Sequence, residues 1–145
     1  MAMTAQGLEV IDHSVHLTHE WINELAARLG WSSKRSTLRL LRITLHRIRD
    51  HLMINELAQM SAQLPLIIRG FFFEGWVPKQ TPIKERRAQE FVTFVDAQMG
   101  ETPEYRGRDD IKCVFDMLNA RLSRGEVEDV RASLPSEIHD LWPAP

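Results

Sequence analysis

Apolar side chains recur along this chain at the intervals of helix faces, and no stretch alternates as a half-buried strand would. The clearest run is Leu38, Leu41, Leu45, Ile48 and Leu52, spaced 3, 4, 3 and 4, which places five apolar side chains on one side of a helix. Trp21, Ile22, Leu25 and Leu29 make another such face. Thr18 stands where an N-cap is expected and Gly30 supplies a stop, so a helix is predicted between them. Residues 1–15 carry no clear period and read as an extended lead-in. A third helix is predicted from near Asn55 to Gln63, and Leu64-Pro65 ends it. Proline lacks the N–H that a continuing helix needs, yet suits the first turn of a new one, so a short fourth helix follows. Pro78 and Pro82 bracket a connection. A fifth helix is expected over about Pro82 to Met99, and a sixth from about Asp109, capped by its carboxylate, to Leu122. Ser123-Arg124-Gly125-Glu126 reads as a capping box opening a seventh. Leu134-Pro135 then repeats the bend before an eighth.

The pattern matches itself at an offset of 70 residues, with no gap between residues 20 and 72. The identities are Glu20/Glu90, Ala27/Ala97, Gly30/Gly100, Leu52/Leu122, Glu56/Glu126, Ala62/Ala132, Leu64/Leu134, Pro65/Pro135 and Ile68/Ile138. Apolar positions agree as well, among them Trp21/Phe91, Leu25/Val95, Leu45/Phe115 and Ile48/Leu118. A tandem repeat accounts for this. Copies of roughly 70 residues sit near the lower limit for building a core alone. The expectation is therefore an all-α fold, one helical domain over residues 1–145. It holds two tandem four-helix units, 16–78 and 86–145, joined by a linker around 78–85 and sharing one core.

Composition narrows the function classes. At 145 residues, 43% hydrophobic and 26% charged, the chain has the make-up of a globular domain. Its net charge of −2 argues against a general nucleic-acid or membrane binder. The balance is uneven, with 8 Lys+Arg against 7 Asp+Glu up to residue 75 and 10 against 13 beyond it. The one cysteine, Cys113, excludes an internal disulfide and a multi-cysteine zinc site. It aligns with Ile43 and reads as a small buried hydrophobe. No basic region followed by an apolar run opens the sequence, and no stretch reaches the ~18 uninterrupted apolar residues of a membrane span. A cytoplasmic location is the expectation.

No Gly-rich phosphate loop, nucleophile elbow, zinc-protease motif or protein-kinase set is present. His13, His16 and His19 recur at intervals of three beside Asp12 and Glu20, which is not a recognised metal-ligand spacing and fits capping and surface roles better. No metal site, catalytic residue or cofactor is assigned. Arg35, Arg39, Arg42, His46 and Arg49 form a basic stripe along the second helix, opposite its leucine seam, and His46 and Asp50 are spaced for an i,i+4 contact. The matched positions Tyr105, Asp109, Lys112, Asp116 and Asn119 do not preserve the stripe. The densest aromatic stretch runs from Leu64 to Trp76. Read as a helix, it gives Ile68, Phe72 and Trp76 a common face for packing between the units, with Gly70 and Gly75 permitting a close approach or a turn. Phe71 or Phe73 is left pointing elsewhere. The candidate partner-binding residues are thus Arg69, Phe71, Phe73, Glu74 and Trp76, with Arg35, Arg39 and Arg42.

Four strings carry a resemblance: THEWINELAARLGW at 18–31, LRITLHRIRDHL at 41–52, SAQLPLIIRGFFFEGWVP at 61–78 and SRGEVEDVRASLP at 123–135. Together they resemble the bacterial domain-of-unknown-function family numbered 2267. The resemblance implies an all-helical bacterial protein and brings no activity, cofactor or catalytic residue with it. Where the first copy has Arg69-Gly70 the second has His139-Asp140, which weighs against a function needing two equivalent sites.

The leading functional reading is a non-catalytic helical interaction or regulatory module that recognises a protein partner, or itself, through the aromatic segment or the stripe. The alternative is a metal-dependent enzyme or binder using His13, His16, His19 or His46. A third is an adaptor whose arginines meet acidic partners or nucleic acid.

Overall fold

The structure is a computed structural model and describes residues 8–145. These residues form eight α-helices and no strand. In chain order the helices are α1 (Glu9–Leu29), α2 (Lys34–His51), α3 (Ile54–Gln63), α4 (Leu66–Phe73), α5 (Ala88–Met99), α6 (Arg108–Arg121), α7 (Arg124–Ser133) and α8 (Ser136–Leu141). A short 3-10 turn, Pro78–Gln80, lies in the connection before α5. Matched helix ends fall 70 residues apart: Leu29/Met99, His51/Arg121 and Gln63/Ser133.

Two expected boundaries move, each for a reason visible in the hydrogen bonds, and one expected cap is not formed. The helix expected from Thr18 begins at Glu9, so the extended lead-in gives way to helix there; its first part, residues 1–7, lies outside the described residues. Thr18 is buried inside α1, where its hydroxyl donates to the Ser14 carbonyl at 2.7 Å, as Ser14 does to Val10 at 2.7 Å. Hydroxyls that bond back one turn need no cap position. The helix expected from Pro82 begins at Ala88. Its N-terminus is held by Glu90, whose carboxylate accepts the Arg87 N–H at 3.0 Å. The segment before it is tied to α2 instead, with the Ile83 N–H donating to the Asp50 carbonyl at 2.8 Å. The sixth helix starts beside the expected Asp109, at Arg108, but Asp109 lies within its first turn and does not cap it. Gly107 is the N-cap, with no side-chain cap bond, and the buried Asp110 instead accepts the Arg106 N–H before the helix at 2.6 Å. The capping box of α7 is half formed. Ser123 accepts the Glu126 N–H at 3.2 Å, while its own N–H goes to Gln63 at 2.8 Å rather than to Glu126.

Packing crosses between the two halves of the chain. α1 lies on α6 and α2 lies on α5, α2 also meets α6, and α3 meets α7. Buried apolar side chains from all eight helices form a single cluster. Leu45 and Phe115, matched in the sequence, are both fully buried. Phe115 stacks on Trp142 with ring centroids 4.8 Å apart and sits 5.9 Å from Phe91. Each such side chain contributes roughly 1.5–3 kcal/mol of burial free energy. Leu38 at the start of the α2 seam is only half-buried, as is Cys113, whose thiol faces the Arg28 carbonyl at 3.6 Å.

Candidate functional site

The outer face of α2 forms one wall of an open cleft of about 400 Å³, lined by Arg35, Leu38, Arg39, Arg42, Ile43 and His46, with Gln98 of α5 opposite. The cleft exists because α2 packs its apolar side against α5 and α6 and leaves this face to solvent. Leu38 and Ile43 give it an apolar floor and the arginines a positive rim. Arg35 is exposed and makes no hydrogen bond or ion pair among the described residues. Arg39 donates to the Gln98 carbonyl at 2.7 Å, satisfying a free acceptor at the end of α5. Arg42 forks onto Glu74, with Nε and Nη2 donating to the two carboxylate oxygens at 2.9 and 3.0 Å. Its guanidinium also lies 5.2 Å from the centroid of the Phe71 ring.

His46 closes the end of the cleft. Its Nε2 is 2.6 Å from the Phe71 carbonyl oxygen, so that nitrogen carries hydrogen and donates. Burial, first, lowers the His46 pKa below its ordinary value; the carbonyl bond and Glu74 oppose this, and Arg49 and Arg42 add to it. The ring is therefore neutral at pH 7 and serves as an orienting donor to the end of α4 rather than as a cation. It does not pair with Asp50, which accepts from Arg49 instead.

Arg49 departs most from the stripe predicted for it. It is 4% exposed, and its Nη1 donates to the carbonyls of Phe72 at 2.9 Å and Glu74 at 2.6 Å. Arg69 is likewise turned inward, with its guanidinium on the carbonyls of Ser61, Ala62 and Leu64 at the end of α3. Of the aromatics, Phe72 is fully buried, while Phe71, Phe73 and Trp76 are half-buried against the core. Trp76 does not share a helix face with Phe72, because α4 stops at Phe73 and the chain turns at Gly75, whose φ of 69° favours glycine. A side chain at Gly70 would meet open space, so no close approach requires glycine there. Trp76 lies 5.6 Å from Phe73 and donates from Nε1 to Thr81 at 3.2 Å.

The stripe and the aromatic segment, separate in sequence, thus meet at Arg42, Phe71 and Glu74. Elsewhere, His13, His16 and His19 are exposed along α1, with His16 3.3 Å from Glu20. Among the described residues no three His, Cys, Asp or Glu side chains converge as a metal site. No helix among them is long and apolar enough to cross a membrane.

A family model described as Uncharacterized conserved protein (DUF2267) matches residues 18–141. The chain belongs to the DUF2267 family. No curated protein matches the chain. The DUF2267 match runs from within α1 to the end of α8, so it takes in every residue lining the cleft. Leu38 and Ile43, read as core positions, went unmarked as cleft residues, and so did Gln98. It sits 59 residues from Arg39 on another helix and contributes a backbone carbonyl, so no local pattern marks it.

Proposed function

We propose that this DUF2267 chain is a non-catalytic helical binding module whose working face is the α2 cleft, and that its ligand is an acidic segment of a partner protein. The reading rests on one observation: a carboxylate, Glu74, already sits in fork geometry on Arg42 at the cleft rim. That pair is about 40% exposed on both sides. Such surface pairs contribute only about 0–1 kcal/mol, so a carboxylate from a partner can exchange with Glu74 at little cost. Arg35, Arg39 and Arg42 all line the cleft with no carboxylate among its lining residues, and Leu38 and Ile43 offer a floor for an apolar side chain between two acids. The helix ends that recur 70 residues apart support two tandem four-helix units as the scaffold. Only the first unit carries the basic stripe, which fits a single binding face.

The test is fluorescence anisotropy with a labelled peptide of alternating glutamate and leucine residues. Binding should weaken with added salt, and Arg35→Ala together with Arg39→Ala should lower affinity by at least tenfold, as expected for losing charge-assisted hydrogen bonds. Equal affinity of the variant and the parent, or preference for a labelled oligonucleotide of the same length, overturns the reading.

A further inference from the structure

At the contact between α3 and α7, two acids meet. Glu56 is the third residue of α3 and Glu126 the third residue of α7, two helices that pack together, and the Glu56 carboxyl acts directly on that of Glu126. Glu126 is 7% exposed. The Oε2 atoms of both residues are buried with no hydrogen-bond partner. Neither carboxyl pairs with a cation among the described residues. Arginines of α4, α6 and α7 are engaged elsewhere: Arg69 on α3 carbonyls, Arg121 on Glu24, Arg124 on Glu128 and Arg131 on the Trp142 carbonyl. The charged groups acting on Glu126 are Glu56 and, on its own helix, Asp129, both acids.

Two ionised carboxylates cannot occupy this place without strong mutual repulsion and unpartnered buried charge. Nothing here holds a divalent cation as the structure stands. Among the described residues no third His, Cys, Asp or Glu converges on the pair as a ligand. A proton does relieve the repulsion, turning one oxygen into a donor to the other carboxyl. The half-formed capping box explains how Glu126 comes to be there: Gln63 occupies the Ser123 N–H, which frees the Glu126 carboxyl to turn toward α3.

We propose that Glu56 and Glu126 hold one proton between them and form a pH-sensitive clasp of α3 on α7, closed while the proton is present and loosened when mildly alkaline solution removes it. Burial, then the neighbouring acids, push the Glu126 carboxyl from its ordinary 4.5 up to about 8, a value that belongs to the pair. The folded state therefore binds this proton more tightly than the unfolded chain does. Its stabilisation is complete below the ordinary carboxyl range and is lost as pH rises through about 8.

Thermal unfolding of the full chain between about pH 6 and pH 9 tests this, beside Glu126→Gln and Glu56→Gln. The parent should lose stability across the interval. Each glutamine variant, which keeps a donor but cannot ionise, should show a flatter profile and exceed the parent at the alkaline end. Profiles parallel to the parent's overturn the proposal. Carboxyl-carbon NMR of the parent gives a reading independent of whether the variants fold. One carboxyl of the pair should stay protonated well above the ordinary range, and ordinary titration of both overturns the clasp. So does stoichiometric binding of calcium or magnesium that is lost in Glu126→Gln.

Discussion

Arg35 and Arg49 belong to one stripe on α2, four turns of sequence pattern that look alike, yet one lies in solvent and the other lies 4% exposed beneath the end of α4. The difference follows from the carbonyls at the end of a helix, which have no partner within it. Arg49 supplies two of these partners, at Phe72 and Glu74, while Asp50 balances its charge. Arg49→Ala should therefore cost about 3 kcal/mol in urea unfolding, because it strands buried acceptors and leaves Asp50 without its cation. Arg49→Lys should recover little, since an ammonium cannot span the fork. Arg35→Ala should fall within about 0.5 kcal/mol of the parent. If both alanine variants cost the same, the burial of Arg49 carries no stability.

At the scale of elements, helix stops were the most legible feature and helix starts the least. Leu64-Pro65 and Leu134-Pro135 end α3 and α7 as the missing proline N–H requires, and Gly30 ends α1. Thr18 and Pro82 misled because a hydroxyl can bond back within its own helix and a proline can equally sit in an extended connection. The cleft was half legible. Its arginines form a local period, but their partners Glu74 and Gln98 lie 32 and 59 residues away, beyond any periodicity argument. Gly30 and Gly100, which match at the offset of 70 residues, show where matching sequence stops implying matching conformation. Gly30 has φ 72° and ψ 28°, a left-handed cap that Asn also tolerates, whereas Gly100 has φ 58° and ψ −136°, which side chains avoid. Gly30→Ala should cost about 1 kcal/mol and Gly100→Ala more, within roughly 1–3 kcal/mol. Neither position crowds an added Cβ, so the comparison isolates backbone strain. Equal losses in chemical denaturation, or a larger one at Gly30, would contradict it.

For the whole molecule, the decisive fact is which helices touch. α1 rests on α6 and α2 on α5, so the apolar face of each half is covered largely by the other. The chain should therefore melt as one unit, with neither half holding its core when the other unfolds. This can be tested with a cavity on each side of the offset, Leu45→Ala in α2 and Phe115→Ala in α6, both at fully buried positions. Leu45→Ala should cost about 2–5 kcal/mol and Phe115→Ala about 3–5 kcal/mol, through lost burial and the space left behind. The shape of the transition discriminates further than its midpoint. Helix content reports all eight helices, while tryptophan fluorescence samples Trp21, Trp31 and Trp76 before the connection and Trp142 after it. With a shared core, either cavity lowers both signals together and the two midpoints stay coincident. With independent units, a cavity in one would shift part of each signal and leave the remainder at the parent midpoint, splitting the curve. A split in either variant would refute the shared core, and a coincident shift in both is the outcome that the crossed packing of α1, α2, α5 and α6 demands.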